Sequence, residues 1–404
     1  MAKKGDFRTP FAMILRVLPS PFNLLIAVCV MAFFSACRSS SEKPRAANLD
    51  EKVVSFPHKV HAKYAGGFRI SYHKNYKLLE IINPFLGKTD TLRYALVPRK
   101  LSNQIEVPNA REIPIPIRSM IATSTTHLGI TQMLNANDII KGMIGAKYVY
   151  SKGIRRQVKQ GKIVSFPMGR INKERLLMMQ PDLIMLSAGQ SSQLDNYRVL
   201  MNSGISVLPN AEWLETTPLG KAEWVKVMAA LLNKEKLVNK KFHAVAERYQ
   251  ELKKAVKKVD EKPLVINNLP FKGAWFVSGG NSYFARLLKD AGADYPWFDT
   301  EKSGGLRLGF ETIYEIGLRA DVWLNPGAAK TKEDILAVDP RLKAFKPFKT
   351  GEIYNRNKRK RPSGGNDIWE SGVVHPEIIL ADLIKIFHPE VLPEHELYYY
   401  QKVE

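Results

Sequence analysis

Residues 169–184 read GRINKERLLMMQPDLI, and residues 308–323 read LGFETIYEIGLRADVW. In both stretches a helical pattern runs directly into a short apolar segment of the kind that forms buried strands. Each helix carries a glutamate in its first turn, Glu174 or Glu311, and an aspartate stands just before each strand. A helix–strand unit that occurs twice in this form predicts two α/β lobes built on parallel sheets.

The segments around these units continue the alternation. Strands are predicted at 118–122, 139–145, 183–186 and 205–209 in the first lobe and at 264–266, 275–277, 322–324 and 353–354 in the second, with a final helix at 376–386. Residues 220–258 carry apolar side chains at helical spacing, which predicts one long connecting helix. Residues 64–98 alternate in polarity between turn residues, which predicts an antiparallel β-rich extension. The predicted fold class is therefore α/β, with two doubly wound lobes joined by one long helix and an N-terminal β-rich extension.

The N-terminus has the pattern of an export signal. Basic residues are followed by an apolar run at 22–34 and by Ser35-Ala36-Cys37, an order typical of a secretory signal and too short for a comfortable membrane span. The ending resembles a bacterial lipobox, in which Cys37 receives the lipid and becomes the first mature residue. An uncleaved signal anchor is the alternative, and translation could start at Met1 or at Met13.

Together these patterns divide the chain into six parts. They are a lipoprotein signal peptide at 1–36, a flexible tether at 37–57, an N-terminal lobe with its β-rich extension at 58–219, a linker helix at 220–258, a C-terminal lobe at 259–388 and a tail at 389–404.

Composition limits the classes of partner that this protein is expected to bind. The formal net charge is +22, from 61 basic and 39 acidic residues, which points to nucleic acid, an anionic membrane surface or an anionic small ligand. Export argues against nucleic acid, so the basic cluster at 356–361 is interpreted as a solvated loop or as part of an anion-binding rim. The two cysteines, Cys29 and Cys37, both lie in the N-terminal segment. A disulfide or thiolate site is therefore not expected in the mature fold.

The repeated units resemble the periplasmic-binding-protein family that serves iron–siderophore, haem and cobalamin importers. The resemblance covers roughly residues 113–388 and rests on the order and spacing of several phrases, including 123–127 (TSTTH) and 277–283 (VSGGNSY). It implies a binding protein without a cofactor of its own, anchored to the membrane by lipid, that delivers a metal chelate to an ABC permease dimer with its ATPase. In that family a surface glutamate on each lobe docks with permease arginines, and by position these are Glu174 and Glu311. A simpler explanation is that acids favour the first turn of a helix because of its dipole.

A ligand is expected between the lobes, near the carboxyl ends of the strands. The candidates are the polar, aromatic and basic residues Thr125, Tyr148, Tyr150, Ser187, Trp213, Trp275, Arg307 and Trp369. Tryptophan and tyrosine offer flat apolar area, and arginine offers fixed donors to acidic groups. Trp213 and Trp369 stand out because each follows a strand in a polar loop, whereas a tryptophan is often a core residue.

The cobalamin-binding branch usually has a tryptophan a few residues before each docking glutamate, and 165–168 and 303–308 contain none. This departure argues against cobalamin and, with the basic charge, favours an anionic iron chelate; cobalamin and haem are the alternatives on the same fold. An exported enzyme, a binder of bare metal ions and a nucleic-acid-binding protein are the rival classes. The eight histidines are scattered, and the close pair His58 and His61 is interpreted as surface. No catalytic or metal-ligating residue is therefore assigned.

Overall fold

The computed structural model describes residues 53–87, 89–169, 172–189 and 192–404. The predicted signal peptide and the lipidation site Cys37 lie outside these residues. Among the helices described, none combines the length and apolarity that crossing a membrane requires. The end of the predicted tether packs onto the fold: the backbone N–H of Val54 donates to Asn75 Oδ1 at 3.0 Å, and the Phe56 and Tyr72 rings lie 6.0 Å apart. The prediction of a free tether up to residue 57 is therefore wrong for its last residues.

The β-rich extension is a four-stranded sheet. Its strands are β1 (Phe68–Tyr72), β2 (Lys77–Ile82), β3 (Thr91–Pro98) and β4 (Arg111–Ile115). The first three pair antiparallel as predicted, and β4, which the sequence pattern does not reveal, pairs parallel to β3. The Tyr94 hydroxyl donates to the Val207 carbonyl at 2.9 Å, so the extension is joined to the first lobe.

The N-terminal lobe follows the predicted alternation. Its elements are β5 (Met120–Ala122), α1 (Thr126–Met133), β6 (Ile140–Ile144), α2 (Lys152–Lys159), β7 (Val164–Phe166), α3 (Lys173–Met179), β8 (Leu183–Ser187), α4 (Ser192–Asp195), α5 (Arg198–Asn202) and β9 (Ser206–Asn210). The strands pair parallel in the order β7-β6-β5-β8-β9. The direction of winding reverses between β5 and β8, and crevices at such switch points bind ligands in doubly wound folds.

The predicted linker helix is interrupted. It comprises α6 (Pro218–Glu223), α7 (Val225–Leu232) and α8 (Glu235–Ala255). Asn233 ends α7 in the left-handed conformation, with φ of 54°, and its Oδ1 accepts a hydrogen bond from Lys77 Nζ at 2.8 Å. Helical periodicity does not reveal this break because the buried lysine belongs to a distant strand. The predicted long helix is therefore present at 235–255 but does not extend over the whole of 220–258.

The C-terminal lobe contains two sheets. Its elements are β10 (Val265–Asn267), β11 (Pro270–Phe271), β12 (Ala274–Ser278), α9 (Tyr283–Asp290), β13 (Gly305–Leu308), α10 (Phe310–Gly317), β14 (Val322–Leu324), α11 (Lys332–Leu336), α12 (Lys346–Thr350), β15 (Ile353–Asn355), α13 (Pro376–Phe387) and β16 (Gln401–Lys402). Strands β10, β14 and β15 are parallel, and β16 joins β15 antiparallel. The predicted strand at 275–277 lies instead in the small antiparallel sheet β11-β12-β13.

The predicted tail at 389–404 is therefore part of the lobe, because it supplies β16. A two-residue strand is too short to show a period, and only the tertiary structure places it at the edge of a sheet.

Candidate ligand-binding site

A cavity of about 420 Å³ opens between the two lobes. On one side it is lined by the loop after β9 and by α6, and on the other by α9, α13 and the segments that follow β15 and precede β16. Leu86, from the β2–β3 connection, brings the β-rich extension to its rim. Its volume lies within the range of about 300–1,000 Å³ that is usual for small-molecule sites.

Two tryptophans line this cavity, one from each lobe. Trp213 follows β9 and is 39% exposed, and Trp369 follows β15 and is 41% exposed. The indole N–H of Trp213 donates to the Ala188 carbonyl, which holds the ring in place. Tyr283 and Phe284, at the start of α9, add further aromatic surface. Large rings that stay exposed at a concave surface are typical of sites for flat or apolar ligands.

Two basic side chains share the cavity with these rings. The Arg356 guanidinium lies 4.6 Å from the centre of the Trp369 ring. Lys221 Nζ lies 4.9 Å from the centre of the Tyr283 ring and 5.9 Å from that of Trp369. Within the described part of the chain, neither forms an ion pair with a carboxylate. A cation over an aromatic face gains some stabilisation, but its charge is not neutralised and attracts an anion.

Burial shapes the charges around the cavity. It lowers the pKa of Lys221, while Glu212 opposes this shift and Arg356 adds to it. Burial also raises the pKa of Glu212, against the influence of Lys221 and Thr126. An arginine keeps its charge in proteins, so Arg356 remains a cation even though burial lowers its pKa. Positive charge at the cavity therefore depends first on Arg356.

Residues 120–359 match the sequence profile of the family described as "Periplasmic binding protein". The chain belongs to this family. An uncharacterized lipoprotein of Methanocaldococcus jannaschii is 25% identical over 307 residues, which cover 73% of this chain and 70% of the relative. Among the similar solved structures is a possible iron-binding protein of Staphylococcus epidermidis, with a TM-score of 0.53 and 18% identity over 67% of this chain and 98% of that one. Another is Helicobacter pylori CeuE with Ni(II) bound, with a TM-score of 0.54 and 17% identity over 70% and 88%.

The family and these fold relatives consist of solute-binding proteins rather than enzymes. These two solved structures share the fold of this periplasmic binding protein. Among the residues that the structure describes, no three His, Cys, Asp or Glu side chains converge in a way that could hold a metal ion.

The loop at 361–370 of the C-terminal lobe, which includes Trp369, contacts the N-terminal lobe. The Glu370 carboxylate accepts the backbone N–H groups of Tyr150 and Ser151 at 2.8 and 3.0 Å. Arg361 Nη1 donates to the Val149 carbonyl at 2.9 Å. Gly365 permits this close approach, because a Cβ there would lie 2.6 Å from the Tyr148 carbonyl oxygen. The loop therefore sets the distance between the lobes at the cavity.

Glu370 is expected to make stability depend on pH. Burial raises its pKa from 4.5 to about 7, opposed by the Tyr150 and Ser151 N–H groups. The folded state holds this proton more tightly than the unfolded state does. The contribution of Glu370 to the free energy of unfolding is therefore fully present below about pH 4.5 and falls by about 3 kcal/mol as the pH rises to about 7. Glu370→Gln removes the titration. Urea unfolding at several pH values should show wild type losing stability relative to the variant over this window, and parallel curves would contradict the assignment.

The predicted ligand residues occupy three kinds of position. Trp213 and Trp369 line the cavity. Thr125 Oγ1 donates to the Trp369 backbone carbonyl at 3.4 Å and so contacts the segment that carries this tryptophan. The other N-terminal-lobe candidates do not line the cavity: Tyr148 packs against Gly364, Tyr150 lies under Arg359, and the Ser187 N–H donates to Thr123 Oγ1.

Two candidates are corrected. Trp275 is fully buried, its indole N–H donates to the Asn267 carbonyl, and its ring stacks on Phe345. Its strand belongs to the small antiparallel sheet, so the ring faces the core and not the cavity. Arg307 lies on the exposed edge strand β13, opposite Phe276, and does not line the cavity either.

The cavity residues that sequence reasoning missed include Lys221, Tyr283, Arg356 and Tyr400. Arg356 opens the basic cluster at 356–361, which did suggest an anion-binding rim. Two other members of that cluster make structural contacts, since Arg359 pairs with Asp367 and Arg361 binds a carbonyl of the other lobe. No pattern in the sequence distinguishes Arg356 from its neighbours.

The two glutamates stand at the first turns of their helices, as predicted. Glu174 is exposed at the start of α3, where the Asn172 side chain caps the helix by accepting the Arg175 N–H at 2.8 Å. Glu311 is exposed at the start of α10, with Oε1 3.4 Å from Arg341 Nη1. A role for either glutamate in docking stays a prediction.

Proposed function

We propose that this protein is the substrate-binding lipoprotein of an ABC importer and that it captures an anionic metal chelate, of the iron–siderophore type, for delivery to a membrane permease. The observation that carries the proposal is the guanidinium of Arg356, which has no carboxylate partner among the described residues and lies over the Trp369 ring at the cavity between the lobes. It supplies a fixed positive charge beside a flat apolar surface.

The chemistry of such chelates fits this arrangement. An iron chelate of the catecholate or carboxylate kind surrounds its metal with oxygen ligands and carries net negative charge, because the charges of its ligands exceed the 3+ charge of the iron. Its organic rim then needs apolar contact, and its oxygen atoms need donors. Trp213 and Trp369 offer the first, and Arg356 with Lys221 offers the second. The metal is cargo, held by the chelator.

Haem is the second candidate, because it too combines a planar apolar ring with acidic groups, and the exposed faces of the two tryptophans suit a planar ring. One fold relative is described as a possible iron-binding protein, and another has Ni(II) bound, so the shared fold does not select the cargo.

The location is part of the proposal. The basic start, the apolar run and the Ser-Ala-Cys37 ending support export and lipid attachment, and the Methanocaldococcus jannaschii relative is named a lipoprotein. Lipid at Cys37 would hold the binding protein near a permease dimer, where Glu174 and Glu311 on opposite lobes would contact one subunit each.

A thermal-shift screen of the mature protein tests the function. The probes are a ferric tris-catecholate, ferric citrate, haem, cobalamin, the iron-free chelators and bare Fe(III) or Ni(II) salts. We expect the ferric tris-catecholate to raise the melting temperature, because a ligand at 100 times its Kd stabilises a fold by about 2.7 kcal/mol. Quenching of tryptophan fluorescence should give the Kd independently. Stabilisation by bare metal ions alone, or by none of the probes, would contradict the proposal.

A further inference from the structure

The last residues of the chain are held by one buried carboxylate. Asp382, on α13, is fully buried. Its two oxygens accept the backbone N–H groups of Tyr398, Tyr399 and Tyr400 at 2.8, 2.6 and 3.0 Å. The His395 ring lies 2.8 Å from the same carboxylate. Three consecutive N–H groups on one carboxylate define the path of the backbone just before β16.

The pairing of β16 then sets the position of one side chain in the cavity. Tyr354 pairs with Lys402 and Asn355 pairs with Gln401. The next residues outward along this antiparallel pair are Arg356 and Tyr400. Directly opposed residues project to the same face of a sheet, and both of these residues line the cavity.

Tyr400 can supply a neutral hydroxyl donor beside the charged guanidinium donors of Arg356. Burial raises the pKa of the Tyr400 hydroxyl, while Arg356 and the Asn325 side chain lower it to a smaller extent. The hydroxyl is thus neutral at physiological pH and keeps a hydrogen to donate. The neighbouring Tyr399 hydroxyl already has a hydrogen-bond partner, because it lies 2.9 Å from Ser371 Oγ.

We infer that Tyr400, which the C-terminal segment carries into the cavity, is a ligand-binding residue whose hydroxyl donates to the same acidic oxygen that Arg356 neutralises. This inference rests on the proposed function and adds one requirement on the ligand. An acidic oxygen at the rim of the chelate must accept from both donors at once, as an oxygen of a catecholate or carboxylate can.

The test is Tyr400→Phe, which removes the hydroxyl and keeps the ring. With the ferric tris-catecholate as probe, we expect the Kd to rise about tenfold, as for loss of one hydrogen bond to a charged group. Tyr398→Phe is the matched control: it makes the same change two residues earlier, on a side chain outside the cavity lining, and should bind like wild type. Melting temperatures of the free proteins establish that both variants fold.

A double-mutant cycle with Arg356→Lys tests whether the two donors share one oxygen. If they do, the combined loss of affinity is smaller than the product of the two single losses, because each variant already weakens the same contact. Wild-type affinity in Tyr400→Phe, or single losses that multiply fully, would overturn the inference and leave the function standing. Failure of wild type to bind any chelate probe would instead overturn the proposed function and the inference with it.

Discussion

Arg356→Glu is expected to weaken binding of an anionic ferric chelate by about 1,000-fold, or about 4 kcal/mol. The guanidinium lies at the cavity without a carboxylate partner in the described part of the chain, so its charge is available to the ligand. Reversal removes that attraction and brings two negative charges together in a partly buried site, where water screens them weakly. Titration of tryptophan fluorescence with a ferric tris-catecholate measures the effect.

Lys360→Glu is the matched control for this prediction. Lys360 belongs to the same basic cluster, is exposed and does not line the cavity, so the substitution changes the net charge equally. A small, salt-dependent effect is expected for the control, because only the long-range field changes. Equal losses in both variants would show that overall charge, and not the position of Arg356, attracts the ligand.

Reversing both docking candidates, Glu174→Arg with Glu311→Arg, is expected to reduce uptake to background while ligand affinity stays within about twofold of wild type. Like charges brought together at a protein interface cost several kcal/mol and slow encounter. Each single reversal should reduce uptake about tenfold, because each lobe meets its own permease subunit in the proposed complex. Uptake of labelled iron by cells that carry each variant gives the measurement.

Two comparisons separate docking from a helix-end effect. Loss of a favourable interaction with the helix dipole costs about 0.3–1 kcal/mol of stability and should leave transport intact in a folded protein. Glu247→Arg, a reversal at an exposed position of α8, controls for the change in net charge. Normal uptake by the folded double variant would remove the docking role, and compensating Arg→Glu changes in the permease should restore part of it.

The tryptophans differ in how well their positions follow from local sequence pattern. Trp213 and Trp369 follow strands in polar loops, and both line the cavity. Trp275 instead lies within a predicted strand, and its ring is enclosed by Trp323 and Phe345. Local pattern places a tryptophan on a strand or a loop, whereas strand pairing decides which way the strand faces.

The break in the connecting segment at 220–258 likewise depends on a contact that is distant in the sequence. Residues 220–258 keep a helical period throughout. The buried Lys77 ammonium, however, donates hydrogen bonds to Asn233 Oδ1, Glu235 Oε1 and the Ala230 carbonyl. Asn233 accordingly ends α7 in the left-handed conformation. A period reports which face of a helix is buried, and it carries no information about a hydrogen-bonding partner 150 residues away.

The sequence alone determined the family, the two α/β lobes and the position of Glu174 and Glu311 in the first turns of their helices. These depend on hydrophobic period, caps and turn residues, which act over short distances along the chain. The tertiary structure alone brought Arg356, Lys221 and Tyr400 to one cavity and added the final strand to the second lobe. Their convergence depends on strand register and on contacts between the lobes, such as Asp382 with the backbone of 398–400 and Glu370 with that of 150–151. Such contacts join residues far apart in the chain, so no local pattern encodes them.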